Sequence, residues 1–152
     1  MTNSIQSGQI NTSTPPNKWE HLLEQAIAAR EYAYAPYSHY QVGAALLTAD
    51  GKIYLGCNIE NASYSPSNCA ERTAIFKAVS EGVYNFEAIA VVTSDGGAPC
   101  GLCRQVMREF APNLTVIVGD LTGNYRVFSL PDLLPYSFGP ENLGVSPPGE
   151  SG

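Results

Sequence analysis

From Lys18 to Ala33 the apolar residues fall at Trp19, Leu22, Leu23, Ala26 and Ile27, the i, i+3, i+4 spacing of an amphipathic helix. Pro36 and Tyr37-Ser38 break that pattern. Tyr40 to Thr48 and Ile53 to Cys57 then read as strands on either side of Asp50-Gly51, a pair suited to a tight hairpin turn. Asn58 to Asn68 is a polar loop. It precedes a second helix expected from Cys69 to Glu81, with Asn68 or Ser67 as its cap and Gly82 as its stop. Ala88 to Thr93 is an apolar, β-branched run of buried-strand length. The loop Ser94 to Pro99 leads into a third helix, Cys100 to Phe110, closed by Pro112. Leu114 to Val118 and Tyr125 to Phe128 read as strands around a turn at Asp120 to Asn124. Ser129 followed by Pro131 opens a short last helix.

Strands separated by helices imply parallel crossovers, and the short 120–124 connection implies an antiparallel final pair. The class is α/β, with a five-stranded mixed sheet flanked by helices. Residues 1–17, polar and ending in Pro15-Pro16, are expected as a flexible leader, 18–138 as the domain, and 139–152 as a loose tail.

Composition narrows the function. The chain has 152 residues, which suits a single core. No stretch approaches the roughly 20 apolar residues of a membrane span, and residues 1–17 have no apolar segment of signal-peptide type. A cytoplasmic protein with no membrane partner is the expectation. Net charge is −6, without a basic run, which disfavours a nucleic acid partner and favours a small neutral substrate. The four cysteines, Cys57, Cys69, Cys100 and Cys103, point in a reducing compartment to metal binding or catalysis rather than disulfides.

Two segments carry the chemistry, Cys69-Ala70-Glu71-Arg72 and Pro99-Cys100-Gly101-Leu102-Cys103-Arg104-Gln105. Each is expected to begin a helix, where free N–H groups and the positive end of the dipole favour thiolate. Sulfurs of Cys69, Cys100 and Cys103 converging from two helix ends would bind Zn²⁺ and leave one tetrahedral position for water, the catalytic arrangement. Glu71, two residues beyond Cys69, would take a proton from that water and return it to the substrate. Three thiolates overcompensate the ion's charge, so Arg72 is expected to donate a hydrogen bond to a cysteine sulfur. Other readings stay open at this point: a Cys-x-x-Cys redox pair, or a non-catalytic zinc-stabilised binding module that uses Cys57 as a fourth ligand. Cys57, at a strand end, is expected as a packed small hydrophobe. His21 and His39 lack ligand spacing.

These two segments resemble the zinc motifs of cytidine deaminases, in which His or Cys precedes x-Glu and a Pro-Cys-x-x-Cys follows. The segments Tyr34 to Ser38, Gln41 to Ala45, Gly56 to Asn61 and Glu71 to Ala74 are similar to the single-domain nucleoside branch. The resemblance runs from about Trp19 to Leu143. It implies a three-layer α/β/α sandwich, one Zn²⁺ per subunit on Cys69, Cys100 and Cys103, and Glu71 as proton shuttle. The implied reaction is deamination of cytidine and 2′-deoxycytidine, in pyrimidine salvage. Asn58 and Glu60 match the pair that hydrogen-bonds the ribose hydroxyls, and Ala70 belongs with the substrate contacts. Tyr40 stands where many relatives have Phe beside the pyrimidine ring, so its hydroxyl needs a partner. The resemblance also implies a homotetramer with shared sites, to which Phe138 would bring a base-stacking ring and Tyr64 an interface loop. A deaminase of the same fold acting on an aminopyrimidine antibiotic or on RNA is the enzyme alternative. The Asn58/Glu60 pair opposes the first and the acidic charge the second.

Overall fold

The computed structural model describes residues 5–11 and 13–148. Along the chain come β1 (Gln6–Gln9), α1 (Lys18–Arg30), β2 (Gly43–Thr48), β3 (Ile53–Cys57), α2 (Ala70–Ser80), β4 (Phe86–Val92), α3 (Gly101–Phe110), β5 (Thr115–Gly119), β6 (Asn124–Ser129) and α4 (Leu130–Leu133). A 3₁₀ turn, Pro140–Leu143, follows. The strands form one mixed sheet in the order β1-β6-β5-β4-β2-β3. Only β4 and β5, joined through α3, run parallel; the other pairs are antiparallel.

Alternation along the strands supplies two cores. Ala44, Leu46, Ile89, Val116 and Val118 point to one face, where Ala70, Ala74, Ile75 and Ala78 of α2 and Met107 of α3 cover them. Ala45, Leu47, Ala88, Ala90, Val92 and Ile117 point to the other, under Leu22, Leu23 and Ala26 of α1. Helices on both faces explain why all six positions of β2 are buried and why its sequence runs Gly-Ala-Ala-Leu-Leu before its one polar residue, Thr48. Burying each large side chain contributes about 1.5–3 kcal/mol.

Two glycines let the helices close on the sheet. A Cβ on Gly43 would lie 2.0 Å from the Ala26 carbonyl oxygen of α1. One on Gly56 would lie 2.3 Å from the Ala70 carbonyl oxygen and 2.6 Å from the Ala74 nitrogen of α2. Gly56 therefore sets how deeply the first turn of α2 sits.

The layers and class are as expected, but the sheet has six strands rather than five. The sixth, Gln6–Gln9, falls in the segment expected as a leader. It pairs with β6 through the backbone while its side chains stay largely exposed, so it lacks the apolar alternation that marks a strand. Residues 40–42 do not join β2, because Asn58 engages that backbone instead: its Oδ1 accepts from the Val42 N–H at 2.8 Å and its Nδ2 donates to the Tyr40 carbonyl at 2.7 Å. The cap of α2 is Cys69, not Asn68 or Ser67; the Asn68 side chain donates to Thr73 Oγ1. Gly82 stops α2 as expected, with φ of 79°.

The end of the expected domain and the first residues of the expected tail contact α3. Arg108 donates to Ser137 Oγ at 2.7 Å and pairs with Glu141, while Gln105 Nε2 donates to the Phe138 carbonyl at 2.9 Å. Residues 1–4, 12 and 149–152 of the expected leader and tail lie outside the described residues.

Candidate active site

Cys69 and Cys100 occupy the N-cap positions of α2 and α3, both in extended backbone conformation, and neither makes a side-chain capping hydrogen bond. Their sulfurs point instead toward each other at 3.7 Å. Cys103, one turn into α3, brings its sulfur to 3.5 Å from Cys100. All three sulfurs lie within 4.8 Å of one another. A tetrahedral ion with Zn–S bonds near 2.3 Å holds its sulfurs about 3.8 Å apart, so the cluster fits zinc. Among the described residues no other His, Cys, Asp or Glu group has such a spacing. All four cysteines are free thiols, and Cys57 stands outside the cluster.

The electrostatics favour thiolate at Cys69. Cys69 is pulled down to about 5, first by the hydrogen bond from Cys103 and also by Arg72, against the opposing effect of burial. Cys103 is pushed up correspondingly by donating to Cys69 and by its own burial. Arg72 donates from a terminal nitrogen to Cys69 Sγ at 3.2 Å, the bond expected from charge compensation.

Glu71 is only 3% exposed, which decides its protonation behaviour: burial raises its pKa, opposed by its own backbone N–H, with the neighbouring Cys69 charge raising it further. A carboxyl raised in this way holds a proton more readily than an exposed one and can return it.

Glu71 lines a cavity of about 330 Å³ with Cys69, Ala70, Arg72 and Cys100 at one end and Asn58, Glu60 and Ser38 at the other. Tyr40, Val42, Thr93, Gly97 and Ala98 complete its walls. His39 turns the chain into this cavity with φ of 58°, a left-handed conformation that His tolerates better than most side chains. Glu60 accepts from the Tyr37 and Ser38 N–H groups at 3.0 and 3.1 Å and from Ser38 Oγ. The bond from the Ser38 hydroxyl is the main reason its carboxyl lies below the usual range, so Glu60 is ionised at neutral pH. Tyr40 finds its partner in Asp95, to which its hydroxyl donates at 2.6 Å.

A family model described as the cytidine and deoxycytidylate deaminase zinc-binding region matches residues 16–119. The chain belongs to this family. It is 52% identical over 130 residues to the cytidine deaminase of Sporosarcina psychrophila, covering 84% of this chain and 96% of the relative. Identity to the cytidine deaminase of Halalkalibacterium halodurans is 54% over 125 residues, 80% of this chain and 95% of that one. The crystal structure of the cytidine deaminase from Burkholderia pseudomallei superimposes with a TM-score of 0.75 at 56% identity, over 78% of this chain and 97% of that chain.

Two residues expected at the site stand apart from the deaminase cavity. Phe138 does not line it and is 58% exposed; Tyr64 is 72% exposed and packs edge-on against Tyr37 at 6.1 Å. Tyr64 instead borders a side groove with Ser38, Glu60 and Ser67. Asp95 and Thr93, which carry no motif, were not legible as site residues. Arg104 of the cysteine motif is structural: it donates to the Pro99 carbonyl at 2.8 Å and the Leu133 carbonyl at 2.7 Å, tying α4 to the start of α3. No helix among the described residues is long and apolar enough to cross a membrane.

Proposed function

We propose that the protein hydrolyses cytidine and 2′-deoxycytidine to uridine and 2′-deoxyuridine, releasing ammonia, as a step of pyrimidine salvage. The observation that carries the reading is the set of three sulfurs at metal spacing beside a buried Glu71, on the wall of a cavity of small-molecule size. Cys69, Cys100 and Cys103 would hold the zinc, which when bound supplies Lewis-acid activation of water.

Glu71 takes the proton from the attacking water and delivers it to N3 of the base, which makes C4 electrophilic. As the C4–N bond breaks, Glu71 relays the remaining proton of the added hydroxyl to the departing amino group, so C4 keeps the oxygen as a carbonyl and water and cytidine become uridine and ammonia. Burial keeps bulk water from competing for that proton. Arg72 holds Cys69 as thiolate throughout.

At the other end, the ionised Glu60 has lone pairs left to accept from a ribose hydroxyl, and Asn58 has one N–H beyond those it commits to the chain. A carboxylate there accepts from a sugar and repels a phosphate, so the nucleoside is preferred to its 5′-phosphate. The side chain of Tyr40 and the backbone of Ala70 flank the base. Phe138 and Tyr64, exposed on the single chain, complete neighbouring sites in a homotetramer. Free thiolates require a reducing compartment, and the cytoplasm is the assigned one.

Purified protein, assayed by absorbance for conversion of cytidine with zinc measured in parallel, tests this reading. Glu71→Ala should retain zinc and lose at least about 100-fold in kcat, the lower range for a general acid–base. A variant that keeps a tenth of the rate would remove Glu71 from the mechanism. For the assembly, a fully active monomer at low concentration would refute shared sites.

A further inference from the structure

Tyr40, on the cavity wall, is fastened at three points. Its N–H donates to Ser38 Oγ at 3.1 Å, and that hydroxyl donates to Glu60. Its carbonyl accepts from Asn58 Nδ2. The backbone is thereby held by the sugar end of the site. The side chain crosses to the other wall, where its hydroxyl meets Asp95 Oδ1. The same carboxylate oxygen accepts from Thr93 Oγ1 at 3.0 Å and from the Gly97 N–H at 3.2 Å, and Thr93 Oγ1 accepts from that N–H at 2.8 Å. Thr93, Gly97 and Ala98 line the cavity, and their segment runs directly into Cys100.

A Cβ at position 97 would lie 2.8 Å from the Tyr40 hydroxyl, so a larger residue there would push the ring away from Asp95. Asp95 itself does not line the cavity. Its effect on bound substrate can pass only through Tyr40 and the 93–98 segment.

From this geometry we infer that Asp95 is a positioning residue for the substrate cavity: its carboxylate latches the Tyr40 ring to the 93–98 segment and fixes the width of the base-binding slot. This rests on the deaminase reading. A latch that preorganises the slot acts on substrate binding more than on the proton transfers at Glu71. A mobile Tyr40 ring would have to be ordered each time substrate enters, which weakens binding without altering the chemistry once bound.

The test is steady-state deamination of cytidine by wild type, Asp95→Ala, Asp95→Asn, Tyr40→Phe and the Tyr40→Phe/Asp95→Ala pair, with zinc content and Tm measured for each. Asp95→Ala should raise KM about tenfold, the scale of one charge-assisted hydrogen bond, with kcat within about threefold and zinc unchanged. Asp95→Asn keeps an acceptor and should restore most of the loss. Tyr40→Phe should raise KM by itself but add nothing in the Asp95→Ala background, because both remove the same bond. Multiplying effects in the pair, an unchanged KM in Asp95→Ala, or a loss confined to kcat would overturn the latch. Should Asp95→Ala fail to fold, Tyr40→Phe with a wild-type KM would overturn it alone. Wild type inert toward cytidine would refute the functional reading and the latch together, whereas active wild type with indifferent variants would refute the latch alone.

Discussion

Gly56→Ala adds a single methyl group yet is expected to disturb both the fold and the sulfur cluster. The added methyl would sit 2.3 Å from the Ala70 carbonyl oxygen, 2.6 Å from the Ala74 nitrogen and 3.1 Å from Ala74 Cβ. Two of those atoms are helix backbone and cannot swing aside, so α2 must lift from β3 by about 1 Å to restore ordinary contact. Overpacking of this kind costs about 1–3 kcal/mol; the rigid obstacle argues for the upper half of that range. For a domain of this size 1 kcal/mol corresponds to about 2–4 °C in Tm, so a drop of about 4–12 °C is expected. The lifted turn carries Cys69, Glu71 and Arg72. A misplacement near 1 Å costs a catalytic constellation on the order of 100-fold, so kcat should fall further than stability alone would suggest. Calorimetry and cytidine turnover at a temperature where both proteins are folded separate the two effects. A variant with wild-type Tm and wild-type kcat would refute the claim that Gly56 sets the depth of the metal centre.

Three further outcomes follow from the site. Arg72→Gln removes the donor to Cys69 Sγ and should weaken zinc affinity about 10–100-fold, read by competition with a chromophoric chelator; unchanged affinity would leave the cluster's charge uncompensated by this residue. Cys57→Ser should leave zinc stoichiometry and kcat unchanged, because Cys57 lies outside the sulfur cluster; a loss of metal would revive four-cysteine ligation. Gly101→Ala enters open space in the first turn of α3 and should stabilise the fold by up to about 1 kcal/mol, seen as a raised urea midpoint with zinc retained.

What was legible in the sequence was whatever depends on local pattern. Trp19 to Ile27 announced α1 by period, and Asp50-Gly51 announced the β2–β3 hairpin by turn chemistry. The cysteines announced the metal by spacing, and the Arg72 bond to Cys69 followed from charge balance. What escaped depends on partners distant in the chain. Gln6–Gln9 becomes a strand only because the edge of β6 offers it a backbone ladder. Residues 40–42 leave the strand because Asn58 reaches them from across a hairpin. Asp95 is an ordinary loop aspartate until the fold brings Tyr40, 55 positions away, to its carboxylate. The 3₁₀ turn at Pro140–Leu143 is fastened by Arg108, which sits 33 residues earlier than its partner Glu141.

Cys69 and Cys100 stand where helices usually place Ser, Thr, Asp or Asn, and neither side chain makes a capping hydrogen bond to its first turn. Ligand and cap have been merged in one residue, twice. An ion held by Cys69, Cys100 and Cys103 would tie the two helix ends to each other and secure together what a serine would have secured separately. Removal of the ion is therefore expected to loosen both turns together. Amide exchange at Glu71 and Leu102 should thus quicken together when a chelator strips the metal, although neither residue is a ligand.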